Sequence, residues 1–267
     1  MVLIFVSGAS AQVSRRNDKV ATLSPDDAAQ RWAQFSQSRP MADYCMKFTL
    51  THIPRKAVEV VFNGEIFGAQ IGVNSYMRIR IWKADEVNNA VDYILLDSPV
   101  SCKVWRAEAD KFIEVPKKDW SKPMCKGLIY SPFDFLTPFK SWKSSYDGAG
   151  RIGQAVHYFI LTPEKNADNR VSDISKVRVA LTREFNSPAQ IETFDASGEL
   201  AKTMSLGSVR KVDGLWIMLE ADMRDDISRD KDKLRFTAAK LRANIPAEVF
   251  DTAIPVAVPQ IPLLESL

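Results

Sequence analysis

Few residues in this chain have types and spacings suited to covalent chemistry. His52 and His157 are its two histidines, and an imidazole can act as a general base, a metal ligand or a buried structural group. His52 ends an alternating run just before Pro54, and His157 lies within the apolar run VHYFILTP. Neither accompanies a G-x-S-x-G elbow or a cysteine in a nucleophile setting, so a hydrogen-bonded structural role is favoured for both. The aspartate-rich DMRDDISRDKDK, residues 222–233, would suggest calcium. An EF-hand loop needs a glycine at its sharp turn and a closing glutamate, and here Arg224, Arg229, Lys231 and Lys233 would repel a cation. That stretch reads as a solvated hairpin tip. Gly148, Gly150 and Gly153 have dinucleotide-fingerprint spacing, but a strand begins at Val156 where a helix should, so YDGAGRIGQ reads as a turn. With no H-E-x-x-H or P-loop present, the expectation is a non-enzyme with no catalytic residue, no metal and no cofactor.

The three cysteines, Cys45, Cys102 and Cys125, lack C-x-x-C spacing. In an oxidising compartment one bridge can form, and Cys102 with Cys125 is the expected pair because both lie beside turn-forming residues; buried free thiols are the alternative. Lys plus Arg exceeds Asp plus Glu by 36 to 33, and these charges are interspersed. A nucleic-acid partner is therefore not expected.

The start, MVLIFVSGASA, joins an apolar run to Ala9-Ser10-Ala11, a pattern at which signal peptidase cuts, here before Gln12. Residues 1–11 are read as the end of a secretory signal, and the missing basic n-region places the natural start upstream of this Met. An ordinary first strand is the alternative. On the export reading the protein is soluble and periplasmic, with no downstream run near the ~18 apolar residues of a membrane span.

The elements that must position any site are mostly strands. Residues 12–23 are polar and expected to be flexible. SPDDAAQRWAQFSQ then predicts a helix over 25–37, with Ser24 as N-cap, Pro25 at the first position, and Ala28, Trp32 and Phe35 on one apolar face. From Met41 the period changes to two. In YCMKFTL, Tyr44, Met46, Phe48 and Leu50 share a face; KAVEVVF and YMRIRIW repeat the pattern, with Asn63-Gly64 as a hairpin signal between them. DYILLD, CKVWRA, KFIEV, KVRVALT, QIETFD, LAKTMSL, LWIMLE and LRFTAAKL continue it, with turns at Ala109-Asp110, at 195–198 and at Asp213-Gly214. About eleven strands and one helix predict a mainly β protein built on a single antiparallel meander. Residues 24–254 are assigned to one domain and 255–267 to an irregular tail.

SPFDFLTPFKSW, residues 131–142, concentrates three phenylalanines, a leucine and a tryptophan between two prolines. The prolines bar it from a long helix or central strand. It is either a loop tucked into the core or a flap over an apolar ligand.

Five stretches in order, SPFDFLTPFKSW, GQAVHYFILTP, IETFDASGELAKTM, VDGLWIMLEADMRD and IPAEVFD, resemble the LolA-like lipoprotein-carrier and lipoprotein-sorting family, over roughly residues 26–251. The resemblance implies a single curved antiparallel sheet forming an unclosed half β-barrel with a helical lid. It implies an apolar cavity lined by Met46, Phe48, Leu50, Val58, Val60, Phe62, Met77, Ile79 and Ile81, with Trp32, Phe35, Phe133, Phe135, Phe139 and Trp142 at lid and mouth. The function implied is a periplasmic carrier sheltering acyl chains of lipids or lipoproteins, passed between membrane-associated donor and acceptor proteins in outer-membrane lipoprotein sorting. An envelope sensor or interaction module that binds a lipid or protein segment without shuttling is the alternative. The family's lid-holding arginine has no aligned counterpart, and Arg78 and Arg80 have the parity of the polar face.

Overall fold

The computed structural model describes residues 20–99, 101–164, 171, 173–253, 259 and 264–267. The expected signal segment and its cleavage point before Gln12 lie outside the described residues. Helix α1 (Pro25–Ser36) starts as its sequence dictates: the Ser24 hydroxyl accepts from the Asp27 amide at 3.1 Å, and Ala28, Trp32 and Phe35 are buried.

Six strands follow: β1 (Tyr44–Ile53), β2 (Val60–Ile71), β3 (Asn74–Lys83), β4 (Val91–Asp97), β5 (Lys103–Glu108) and β6 (Lys111–Glu114). A one-turn helix α2 (Pro132–Leu136) interrupts them. The chain then resumes with β7 (Lys143–Ile152), β8 (Gln154–Thr162), β9 (Ile174–Thr182), β10 (Pro188–Asp195), β11 (Leu200–Leu206), β12 (Val209–Val212), β13 (Leu215–Met218), β14 (Glu220–Asp225), β15 (Lys231–Leu241) and β16 (Glu265–Ser266). The large sheet runs β6-β5-β4-β3-β2-β1-β15-β14-β11-β10-β9-β8-β7, with every pair antiparallel and β6 and β7 as unjoined edges. This is the expected open, curved, mainly β architecture. It is not one meander, however. Two meanders meet where β1 pairs with β15, so the two halves of the chain are joined at the middle of the sheet.

One apolar cluster combines residues from β1–β5, from β8–β11 and from β13–β15. A single cluster can draw on both halves of one sheet only from the concave side, so this is the inner face. Two glycines shape it. At Gly64 an added Cβ would come within 2.1 Å of the Phe48 ring, and at Gly68 within 2.0 Å of the Tyr44 ring. Each aromatic lies flat across the glycine it pairs with on the next strand. The expected hairpin at Asn63-Gly64 is therefore corrected: both residues lie inside β2, and Gly64 is a socket for a ring rather than a turn residue. The actual β2–β3 turn uses Gly72, at φ 62°.

Three other expectations change. YDGAGRIGQ is mostly strand β7, with a bulge between Tyr146 and Ala149 and the turn at Gly153. LWIMLE is split: β13 leaves the sheet to pair with β12, and β14 rejoins it. β16 pairs with β15 at Ala238 and Ala239, beyond the stretch that β14 covers, so the chain end supplies a strand there.

The outer face over β1–β3 is also covered. Cys45, Phe67 and Ala69 pack with Tyr76, Val249 and Phe250. Beneath them Arg78 grips Asp92 through Nε (3.0 Å) and NH2 (2.6 Å) and donates to the Val249 carbonyl, while Arg80 pairs with Glu65. The arginines do occupy the face opposite Ile79, but that face is buried.

Candidate functional site

The inner face of the sheet is largely apolar, and helix α1, the loop carrying α2 and the small β12–β13 hairpin cover it. Met46, Phe48, Leu50, Phe62, Ile79 and Ile81 are buried in its cluster, and Val60 and Met77 pack against it. Val58 is the exception. It precedes β2 and is 85% exposed, because the chain between Pro54 and Glu59 is a turn and the strand parity does not reach it.

The lid is a plug. Trp32 of α1 lies 5.3 Å from Phe35 and 5.4 Å from Phe159 of β8, ring to ring, so the helix fills the inner face beside the second half-sheet. Its hold on the rim is polar and small. Arg31 NH1 donates to the Thr182 carbonyl (3.0 Å) and to Asn186 Oδ1 (3.2 Å), NH2 donates to the Arg183 carbonyl (3.0 Å), and Asn186 Nδ2 returns a bond to the Arg31 carbonyl (2.8 Å). Arg31, carried by α1 itself, thus ties the helix to the turn between β9 and β10. Ahead of the helix, the Leu23 amide donates to the Tyr146 hydroxyl (3.2 Å), which lies 3.1 Å from His157 Nδ1. Burial, with Arg31 and Arg183 nearby, holds the His157 imidazole below its ordinary range. In its Nε2-protonated neutral form the ring offers Nδ1 as an acceptor for the Tyr146 hydroxyl.

The aromatic segment plugs the other side. Pro132 opens α2 and Pro138 opens a tight turn over Pro138–Ser141, so the prolines start helical turns where a plain loop was expected. Asp134 closes the capping box, accepting from the Ser131 amide (2.8 Å) and hydroxyl (2.6 Å). Phe133, Phe135 and Phe139 are almost wholly buried and Trp142 nearly so, with Phe133 between Phe139 and Trp142 at 5.9 Å from each. Phe133, Phe135 and Phe139 fill the interior, and Trp142 also borders a cleft. Their anchor is Asp232, 0% exposed. It accepts from the Ile129 amide (2.6 Å) and the Tyr130 amide (3.2 Å), and its other oxygen lies 2.7 Å from His52 Nδ1. Burial raises its carboxyl pKa against these opposing bonds. Thus one aspartate of the stretch read as a solvated tip points inward and carries the loop.

A cleft of about 410 Å³ opens where the two covers meet, between the C-terminal end of α1, the chain after β4 and the turn at Pro138–Ser141. Arg39, Asp97, Cys102, Lys117, Trp120, Lys140 and Trp142 are among its walls. Burial pushes the Lys140 ammonium down to about 8. The Cys102–Cys125 bridge is not formed: all three cysteines are free, and burial pushes each thiol up to about 12. Pattern reasoning missed Arg31, Tyr146, Asn186 and Asp232, because each works through tertiary partners distant in the chain. Among the described residues, no group of histidine, cysteine and carboxylate side chains could hold a metal. No helix there is long and apolar enough to cross a membrane.

A family model described only as an uncharacterized protein matches residues 140–254. Comparison with curated proteins gives no match. Among solved structures, a DUF1329 family protein from Desulfovibrio piger superposes with a TM-score of 0.70 at 12% identity, covering 85% of this chain and 97% of that one. A domain from Vibrio parahaemolyticus named for outer membrane lipoprotein sorting gives 0.69 at 12% identity, covering 85% and 96%. A LolA superfamily protein from Nitrosomonas europaea gives 0.62 at 15% identity, covering 86% and 99%. At these identities the likeness is one of fold: the chain has the LolA-like half-barrel, an open curved antiparallel sheet whose inner face is plugged by a helix and a loop.

Proposed function

We propose that this protein is an exported carrier that shelters acyl chains of lipids or lipoproteins on the inner face of its sheet, working in the periplasm between membrane-associated donor and acceptor proteins. The observation that carries this reading is the way the inner face is closed. An apolar surface crossing the whole sheet is covered by a helix held at the rim through the contacts of Arg31 and Asn186. The sorting domain and the LolA superfamily protein that share the fold support the same reading.

Magnitudes allow the exchange. Burying an acyl chain gains about 0.8 kcal/mol per methylene, so a chain of ~16 carbons brings on the order of 12 kcal/mol before ordering costs. Undocking Trp32 and Phe35 forfeits roughly 3–5 kcal/mol for each ring. Chain burial is therefore of the same order as the cost of moving the helix. Mass spectrometry of lipid extracted from protein purified from its native envelope tests the proposal directly. Stoichiometric acyl lipid is expected; lipid-free protein that also fails to bind a fluorescent C16 fatty acid would rule the carrier out.

A further inference from the structure

The cleft at the meeting of the two covers has the makings of a headgroup site. Its charged walls are three cations, Arg39, Lys117 and Lys140, against two carboxylates, Asp97 and Glu164. Lys140 is half-buried. Its Nζ lies 3.4 Å from the Ser38 carbonyl and 5.2 Å above the Phe35 ring, and among the described residues no carboxylate comes within ion-pair distance of it. Arg39 spends NH1 on the Ser36 and Ser38 carbonyls at the end of α1 and approaches Asp97 only to 3.7 Å, too far for a hydrogen bond. Two cations therefore flank a concavity in which one is desolvated without a close anionic partner. An entering anion with several acceptor oxygens would supply charge-assisted bonds that Asp97 does not.

The rest of the wall separates a lipid from a small anion. Trp120 and Trp142, 3% and 9% exposed, line the cleft and belong to the inner apolar cluster, and Trp142 stacks towards Phe133. Apolar surface thus runs without interruption from the cations to the interior. Arg39 also sits in the link between α1 and β1, where a displaced lid must pivot.

We propose that Arg39 and Lys140 bind the anionic head, phosphate or carboxylate, of an amphiphile whose acyl chain enters the inner face past Trp120 and Trp142. This rests on the acyl-carrier reading and adds the charge class of the ligand.

The test uses the full chain and displacement of a fluorescent C16 probe by hexadecyl phosphate, by neutral hexadecanol and by inorganic phosphate, all below aggregation. Hexadecyl phosphate should bind tenfold or more tighter than hexadecanol, the scale of one charge-assisted bond. In Lys140→Ala and Arg39→Ala that preference, taken as the ratio of the two affinities within each variant, should fall towards unity. The other charged walls of the cleft are Arg39, Lys117, Asp97 and Glu164, and the Cys102 thiol beside them is pushed up to about 12. Burial pushes the Lys140 ammonium down to about 8, so the preference should fade as the pH rises above that. Lys140→Arg should keep the preference and remove its pH dependence. Equal affinity for the phosphate and the alcohol in the unsubstituted protein would overturn the headgroup site while leaving the carrier reading intact. Failure of the fluorescent C16 probe to bind at all would overturn the carrier reading itself, and a bound probe that neither amphiphile displaces would overturn the headgroup site. Inorganic phosphate competing as well as hexadecyl phosphate would show a free-anion site and overturn the lipid assignment.

Discussion

Gly64 faces the Phe48 ring so closely that a methyl group at its Cα would lie 2.1 Å from Cζ. A ring inside a packed sheet cannot swing away without disturbing Phe236, whose centroid is 6.1 Å from it. Gly64→Ala should therefore cost about 2–3 kcal/mol by overpacking, read from urea melts. In a Phe48→Ala background the same change should cost at least ~1 kcal/mol less, because the two side chains then share one space. His157 makes a pH-dependent prediction. The unfolded imidazole takes up its proton near pH 6.5, while burial holds the folded one neutral to lower pH. The unfolded state binds more protons in that window, so stability falls as pH drops through about 6.5 and this contribution levels off below the folded pKa. Glu65, Asp92 and Asp232, all raised by burial, act in the opposite sense, which makes the difference between variant and parent the informative quantity. His157→Gln should lose less stability between pH 7 and pH 5 than the parent, and parallel curves would show that His157 takes up its proton equally in the folded and unfolded states.

Helix α1 is held by one apolar face and by Arg31, and the two contributions separate by mutation. Trp32→Ala leaves a void among Phe35 and Phe159 and should cost about 3–5 kcal/mol of global stability. Arg31→Ala removes part-buried bonds to the Thr182 and Arg183 carbonyls, and solvent screening limits the loss to about 1–2 kcal/mol. Hydrogen exchange should find that loss confined to α1, with β1 and β15 unchanged; equal acceleration across the sheet would show that the helix is an integral part of the fold. The start and the apolar face of the helix were legible in the sequence, since Ser24, Pro25, Trp32 and Phe35 act locally or at helical spacing. The alternation of β1, β3 and β9 was legible for the same reason. Asn63-Gly64 misled because a glycine required by a ring on the neighbouring strand looks identical to one required by a turn. The split between β13 and β14 left no local signal either, since it answers to where β15 runs out of neighbours. Burial on the inner face followed the same rule: parity found the inward residues from Met46 to Ile81 but failed at Val58, where the strand had not begun.

The molecule as a whole covers the two faces of one sheet by different means. On the outer face the cover is locked over buried ion pairs, where Arg78 holds both Asp92 and the Val249 carbonyl. Breaking such a pair strands a charge in the interior and costs several kcal/mol. On the inner face the helix exposes only apolar rings when it leaves, and its polar partners, Arg31 and the Tyr146 hydroxyl, lie at the rim, where water can replace them. Opening is therefore less costly on the inner side, which is also the side proposed to shelter an acyl chain. If an acyl chain occupies the surface that Trp32 and Phe35 now fill, ligand and helix compete for it. A saturating C16 ligand should raise Tm, since anything that binds only the folded state stabilises it. The same ligand should make the chain between Pro25 and Asp43 more susceptible to limited proteolysis, because the helix has given up its place. Stabilisation of the whole and exposure of the part are opposite in sign, and a ligand bound on the outer surface produces only the first. Protection of that segment together with a higher Tm would place the chain beneath a closed lid, and unchanged cleavage would place it outside the half-barrel altogether.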